Sequence, residues 1–156
     1  MTQRLDEQAF KLVVASTPLV SIDLIIRNSK GQILLGLRTN RPAQGFWFVP
    51  GGRICKDETF ERAFQRLTKV ELGEEYSLKQ AQFLGTYQHF YKDNFSEDHF
   101  STHYVVLGYE LELDIELSSL PDEQHNHYQW WEVENLLASE QVHINTKAYF
   151  SDEYIK

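Results

Sequence analysis

Residues 51 to 73 read Gly-Gly-Arg-Ile-Cys-Lys-Asp-Glu-Thr-Phe-Glu-Arg-Ala-Phe-Gln-Arg-Leu-Thr-Lys-Val-Glu-Leu-Gly, a glycine turn feeding a helix that carries selected charges. Gly51 and Gly52 follow Pro50, and a backbone without Cβ can bend sharply there and approach a ligand closely. Asp57 is a good N-cap, and Phe60, Ala63, Phe64 and Leu67 then recur at the i, i+3, i+4, i+7 spacing of one helix face. Gly73 supplies the stop. On such a helix Glu58, Arg62 and Arg66 lie one above another, and Glu71 continues the apolar row beyond Leu67. A carboxylate in register with a core-facing row is the oddity. Turn and helix together can hold a metal against a diphosphate.

Gly52, Glu58, Arg66, Glu71 and Gly73 stand at the spacings of the box G-x5-E-x7-R-E-U-x-E-E-x-G-U, with U a bulky apolar residue, and the stretch resembles the Nudix hydrolases. The departures are as informative as the matches. Leu67 and Val70 replace glutamates, Glu74 replaces the last apolar residue, and Glu71 alone remains of the three carboxylates in the second half. With residues 39 to 53 ahead and Leu-Pro-Asp-Glu-Gln-His (120 to 125) behind, this altered box is similar to the branch of the family that hydrolyses GDP-mannose. The likeness runs from roughly Phe10 to Phe150. It implies one domain over residues 1 to 156, an α/β/α sandwich with a mixed sheet and a loop-helix-loop catalytic motif.

Composition agrees with a compact enzyme. At 156 residues, 42% hydrophobic and 13% aromatic, the chain can bury one substantial core. A net charge of -8 argues against nonspecific nucleic-acid binding, which needs a basic surface. It also means that an anionic substrate must be met by locally placed arginines and a metal, against the field of the whole protein. The lone Cys55 forms no internal disulfide, and no apolar run approaches membrane-spanning length. With no basic, apolar leader at the start, a cytoplasmic location is the default expectation.

Along the chain, Asp6 to Ser16 is expected to form a short helix stopped before Pro18. Val20 to Arg27 and Gln32 to Arg38 flank Asn-Ser-Lys-Gly as a hairpin, and Phe46 to Val49 is a short aromatic strand. Ala81 to Tyr91 and Thr102 to Leu113 are two further strands, joined by the long polar connection 92–101, which is expected to serve as a flap. Tyr128 to Val133 adds a strand, and Glu134 to Ala138 and Thr146 to Tyr154 are helical pieces. Strands and helices interleaved in this way give a mixed sheet with helices packed against it.

The site expectations come from residue chemistry and from the resemblance together. Mg²⁺ prefers an octahedron of oxygens and takes one or two carboxylates plus substrate phosphates. A box with two glutamates missing is expected to hold one Mg²⁺ per subunit, with Glu71 as its carboxylate; the resemblance adds the Gly51 carbonyl and the Gln124 side chain. The alternative for Glu71 is an acid turned outward, a position the helix dipole disfavours near a C-terminus. Arg38 and Arg53 can make bidentate bonds to phosphate and absorb charge on a departing diphosphate, a role the resemblance shares with Tyr104. Arg66 falls on the box arginine, which in this family often orients carboxylates. Arg41 reads as a surface residue.

His125 is the candidate general base, since imidazole titrates near neutrality and its loop position after Pro121 lets it reach a cleft. His89 and His103 can face the site or not on pattern alone, and His127 and His143 read as surface or core. Asp23 interrupts the run from Ile22 to Ile26; alternation sets it with Ser21 and Ile25, opposite Ile22, Leu24 and Ile26. It is either a solvent-facing strand residue or, by resemblance, a sugar contact. Phe10 is a candidate nucleotide contact, with core packing as the alternative for it and for Trp47 and Phe48.

These readings imply hydrolysis of a GDP-hexose to GDP and free sugar by inverting attack of water at the anomeric carbon, in the single-step logic of inverting glycosidases. A conventional Nudix pyrophosphohydrolase attacking phosphorus and a silent nucleotide-sugar sensor are the alternatives. The expected partner is a small nucleotide sugar, with no nucleic acid and no membrane, and the resemblance implies a homodimer.

Overall fold

The computed structural model describes residues 4–121 and 125–155, with the side chains of 125–127 outside that description. Its spine is β1 (Leu19–Arg27), which pairs in parallel with β6 (Thr102–Glu112) along its whole length, from Leu19 opposite Tyr104 to Arg27 opposite Glu112. The other edge of β1 is shared. Residues 21–23 pair antiparallel with β4 (Gly51–Arg53), and Arg27 meets Ile33 at the root of the hairpin to β2 (Ile33–Arg38). Beyond that root β2 leaves β1 and pairs with β3 (Trp47–Phe48) and β7 (His125–Trp131), while β5 (Gln82–Tyr91) closes the far edge on β6. The result is a seven-stranded mixed sheet.

The alternation read from β1 sorts its two faces. Ile22, Leu24 and Ile26 are fully buried with Leu34 under Ala63, Phe64, Leu67 and Leu72 of α2 (Phe60–Leu72). Ile25 goes to the opposite core with Ile33, Leu35 and Val49, covered by Leu136 of α3 (Val133–Ala138). Full burial of an aliphatic or aromatic side chain is worth about 1.5–3 kcal/mol, so each face carries its own stabilising layer. Helices on both faces of a mixed sheet make the α/β/α sandwich the sequence predicts. Among the described residues no helix is long and apolar enough to cross a membrane.

The termini of the elements correct several expectations. Asp6 does cap α1 (Glu7–Ser16), its carboxylate accepting from the Ala9 amide at 2.8 Å. Asp57, by contrast, does not cap α2. Thr59 does, accepting from the Arg62 amide, while Asp57 takes a left-handed conformation (φ 68°) that Asp tolerates better than most residues. Helix α2 therefore starts later than the spacing implies, leaving Glu58 in the preceding loop and Phe60 54% exposed. Gly73 ends the helix in the left-handed conformation, as expected. The helix expected over 146–154 is two pieces, α4 (Ile144–Lys147) and a 3₁₀ turn at Asp152–Tyr154.

Gly51 and Gly52 form no sharp turn: they are strand residues without positive φ. Their lack of Cβ serves close packing instead. A Cβ on Gly51 would lie 2.3 Å from the Ile22 carbonyl oxygen, and one on Gly52 2.5 Å from Leu67 Cδ2. The connection 92–101 is tied upon itself by buried Asn94. Its Nδ2 donates to the carbonyls of Asp98 and Phe100 at 2.8 and 2.7 Å, and its Oδ1 accepts from the Ser96 amide at 2.7 Å.

Gly51→Ala is expected to destabilise by about 1–3 kcal/mol, because the clash is with backbone, and Gly52→Ala by less, because a Leu side chain can shift. Urea unfolding of both variants checks this, and the reverse ranking would contradict it.

Candidate active site

Over β1, with β4 on one edge and β6 on the other, the sheet opens into a cleft. Asp23 and Ser21 come from β1, Arg38 from the end of β2, Gly51, Gly52 and Arg53 from β4, His89 and Tyr91 from β5 and Tyr104 from β6, with Phe48 on one wall. Five strands thus deliver Asp23, Arg38, Arg53, His89 and Tyr104, all singled out from the sequence, to one place. The cleft encloses about 100 Å³. Sites that swallow a drug-sized ligand span roughly 300–1,000 Å³, so this one takes a single moiety and leaves the rest of a larger ligand along its rim.

The two arginines have unusual company. Arg38 donates from Nε to the Pro42 carbonyl at 2.9 Å and lies 5.9 Å from the Phe48 ring centroid; Arg53 lies 4.9 Å from the Phe10 centroid. Arg27, Arg41 and Arg66 instead pair with Glu110, Glu97 and Glu58. The described contacts of the cleft arginines are thus with neutral groups, which hold a guanidinium in place without neutralising it.

Asp23 lies at the cleft floor. Desolvation raises its carboxyl to about 7, opposed by the Tyr149 hydroxyl, which donates to Oδ2 at 2.6 Å, and by the charge of Arg38. Burial also raises the phenols of Tyr104 and Tyr91, so both stay protonated near neutrality.

Arg66 does not line the cleft. Its guanidinium forks onto Glu58 at 2.7 and 2.9 Å and donates to the Arg53 carbonyl at 2.8 Å. The hydrogen bond to Glu58 raises its pKa further, and Glu58 also accepts from the Cys55 amide at 2.9 Å. The box pair Glu58 and Arg66 therefore clasps the loop between β4 and α2 and steadies the backbone of Arg53.

Glu71 sits on the other side of β4, within the α2 layer. It is 1% exposed, and the Tyr128 hydroxyl donates to its Oε2 at 3.0 Å. The alternative of an outward-turned acid is thereby excluded. Arg66 meets the Arg53 carbonyl and Leu67 abuts Gly52, so the next turn of the helix carries Glu71 toward the Gly51 end of β4. In the β1 ladder the hydrogen-bonded positions are Pro50, Gly52 and Ile54, which turns the Gly51 carbonyl away from β1. A buried carboxylate and a carbonyl outside the ladder are the oxygen donors a hard divalent cation takes, so these residues fit Mg²⁺. Among the described residues no group of three or more His, Cys, Asp or Glu forms a metal cluster. Gln124 and the side chain of His125 lie outside the described residues; the His125 backbone opens β7 in register with Arg38.

Other expectations are redistributed. Phe10 packs on Phe95 at 4.9 Å and sets its ring against Arg53, a residue of the cleft lining. His103 stacks on Phe90 at 4.4 Å, on the register position next to Tyr104, and so does not line the cleft. His143 caps α4 and stacks on Phe48 at 4.7 Å, outside the cleft lining. Trp47 packs against Trp131 in the second core. The loop 92–101 leans on the rest of the protein through Arg41, which donates to the Ser96 carbonyl, and Lys11, 3.3 Å from Asp98. Tyr91 and Tyr149 escaped sequence reading. Gly108 opposite Asp23 was the available signal, a glycine in mid-strand that marks close approach of another group.

The NUDIX domain family matches residues 17–152. The low-salt glycan biosynthesis protein Agl8 of Haloferax volcanii is 41% identical over 125 residues, 80% of this chain and 78% of that protein. Among solved structures, a MutT protein from Methanosarcina mazei superposes with a TM-score of 0.67 at 20% identity, covering 89% of this chain and 94% of that one. A MutT NUDIX hydrolase from Burkholderia pseudomallei gives 0.66 at 24%, covering 86% and 96%. These structural likenesses concern the fold.

Asp23→Asn tests the electrostatics of the floor, which Arg38, Arg53, His89, Tyr91, Tyr104 and Tyr149 all face. An unfolded carboxyl ionises near 3.8 while the folded one keeps its proton to about 7, so wild-type stability falls relative to the variant as pH rises through that window. Below it both states are protonated; above it the full penalty of ionised Asp23 is present. Thermal midpoints of both proteins from pH 4 to 8, without divalent cation, should converge at the acid end and separate at the other, with the variant gaining. Parallel curves would refute the raised proton affinity.

Proposed function

Because this chain belongs to the Nudix family and carries a cleft in which two arginines, in no salt bridge among the described residues, face a carboxyl of raised proton affinity, we propose that it hydrolyses a GDP-hexose, GDP-mannose or a close relative, to GDP and the free sugar. The observation that carries this reading is the convergence of Asp23, Arg38, Arg53 and Tyr104 on one moiety-sized cleft. Arg38 and Arg53 bind the diphosphate and take up the negative charge that grows on its oxygen as the bond to the anomeric carbon breaks. Tyr104, kept protonated by burial, donates to the same oxygens. Asp23 binds sugar hydroxyls, accepting hydrogen bonds when ionised and donating when protonated.

Water attacks the anomeric carbon from the face opposite the diphosphate, its proton passes to His125, and the carbon-oxygen electron pair leaves with GDP. Attack on one face inverts the anomeric centre. Glu71, the Gly51 carbonyl and Gln124 would hold a divalent ion, which when bound supplies further neutralisation of the diphosphate.

The substitution of the box supports attack at carbon over attack at phosphorus. Leu67, at a position where the family pattern has glutamate, is 2% exposed and packed toward Gly52, so that position is committed to the core and supplies no carboxylate to activate water beside the phosphates.

Hydrolysis of GDP-mannose in ¹⁸O-labelled water distinguishes the two chemistries. Label is expected in mannose; label in GMP or mannose phosphate would establish the pyrophosphohydrolase reaction instead, and no turnover of any nucleotide sugar with Mg²⁺ would favour a sensor. His125→Gln is expected to lower turnover by about 10²- to 10⁴-fold while Mg²⁺ binding is largely kept. Undiminished turnover in that variant would remove His125 from the mechanism.

A further inference from the structure

Tyr149 has no place in the box, in the arginine set or among the histidines, yet it makes a short hydrogen bond at the cleft floor. Its hydroxyl donates to Asp23 Oδ2 at 2.6 Å. It reaches there from the segment after α4 by laying its ring across β6 at Gly108, the residue paired with Asp23 across the parallel ladder. A Cβ on Gly108 would stand 2.8 Å from Tyr149 Cε1 and 3.5 Å from Cδ1, so only glycine leaves the ring its seat. Tyr87 closes the seat edge-on, with ring centroids 4.5 Å apart. Oδ1 of Asp23 looks the other way: a Cβ on Gly51 would lie 2.9 Å from it. One carboxyl oxygen is taken by the phenol and the other lies beside the bare backbone of β4.

We infer that Tyr149 is a positioning residue, seated by Gly108, which takes Oδ2 of Asp23 and fixes Oδ1 toward the ligand at the Gly51 side of the cleft. This rests on the reading of the cleft as a hexose site. A carboxyl on β1 would otherwise rotate about its side-chain torsions, and a hydrogen bond to one oxygen removes that freedom before a sugar arrives. The phenol is suited to this task because burial first, and then the charge of Asp23, keep it protonated and therefore a donor.

The test is a double-mutant cycle on GDP-mannose hydrolysis with Mg²⁺, comparing wild type, Tyr149→Phe, Asp23→Asn and the double variant. Tyr149→Phe keeps the ring in its slot and is expected to lower kcat/KM about 10-fold or more, as for loss of a hydrogen bond to a charged group. In the Asp23→Asn background the same substitution should cost less than about 3-fold, because the group it positions is gone. Gly108→Ala, which leaves both partners chemically intact but crowds the ring, should reproduce the loss with the same dependence on Asp23. Equal costs in both backgrounds, or wild-type activity in Tyr149→Phe, would overturn the positioning role while leaving the hydrolase reading intact. Absence of wild-type turnover would bring down that reading first, and this inference with it.

Discussion

A strand of three residues, the first two without side chains, holds the site together. β4 runs between β1 and α2 so closely that neither Gly51 nor Gly52 has room for a methyl group: the Ile22 carbonyl fills the space on one side and Leu67 fills it on the other. The packing is backbone against backbone and backbone against a buried leucine, and it fixes the distance between a helix that carries a carboxylate and a sheet that carries the cleft. The Glu58 and Arg66 clasp then secures the strand's end through the Arg53 carbonyl. Two box residues that never line the cleft thus set the backbone position of one that does.

The same strand divides two layers. Asp23 and Ser21 face the cleft, while the neighbouring Ile22, Leu24 and Ile26 face the α2 layer, where Glu71 lies buried beneath the Tyr128 hydroxyl. Groups on opposite faces of a sheet are ordinarily separated by a full layer of side chains. Here the partition is Gly51 and Gly52, which line the cleft on one side and abut α2 on the other. A bulky residue in place of either glycine would wall the carboxylate off from the arginines.

Much of this was legible in the sequence, for identifiable reasons. Alternation in β1 separated Asp23 from its neighbours Ile22 and Leu24 because a period of two is imposed by the strand itself. Glu71 was found because helix periodicity continues past Leu67 into the last turn. The misreadings arise where a residue satisfies a local rule and a tertiary contact decides otherwise. Asp57 has capping chemistry, but the loop needs it in a left-handed turn and Thr59 takes the cap. Phe60 fits the apolar stripe, yet at the first helical position it lies at the rim of the core and stays exposed. Tyr149 could not be found from spacing at all, since 126 residues separate it from Asp23 and only the slot at Gly108 joins them.

A protein of net charge -8 repels a diphosphate at long range, so attraction must arise within a Debye length of the site. Salt-bridged arginines would not supply it, because their field is cancelled at source. Placing Arg38 on a carbonyl and an aromatic wall, and Arg53 on Phe10, leaves two guanidiniums with their charge available. Asp23 on the cleft floor is poised near neutrality by desolvation, which limits the negative charge it sets against them. The hydrophobic contacts of Phe10, Phe48 and Phe95 are therefore electrostatic devices as well as packing: they position cations with groups that carry no countercharge.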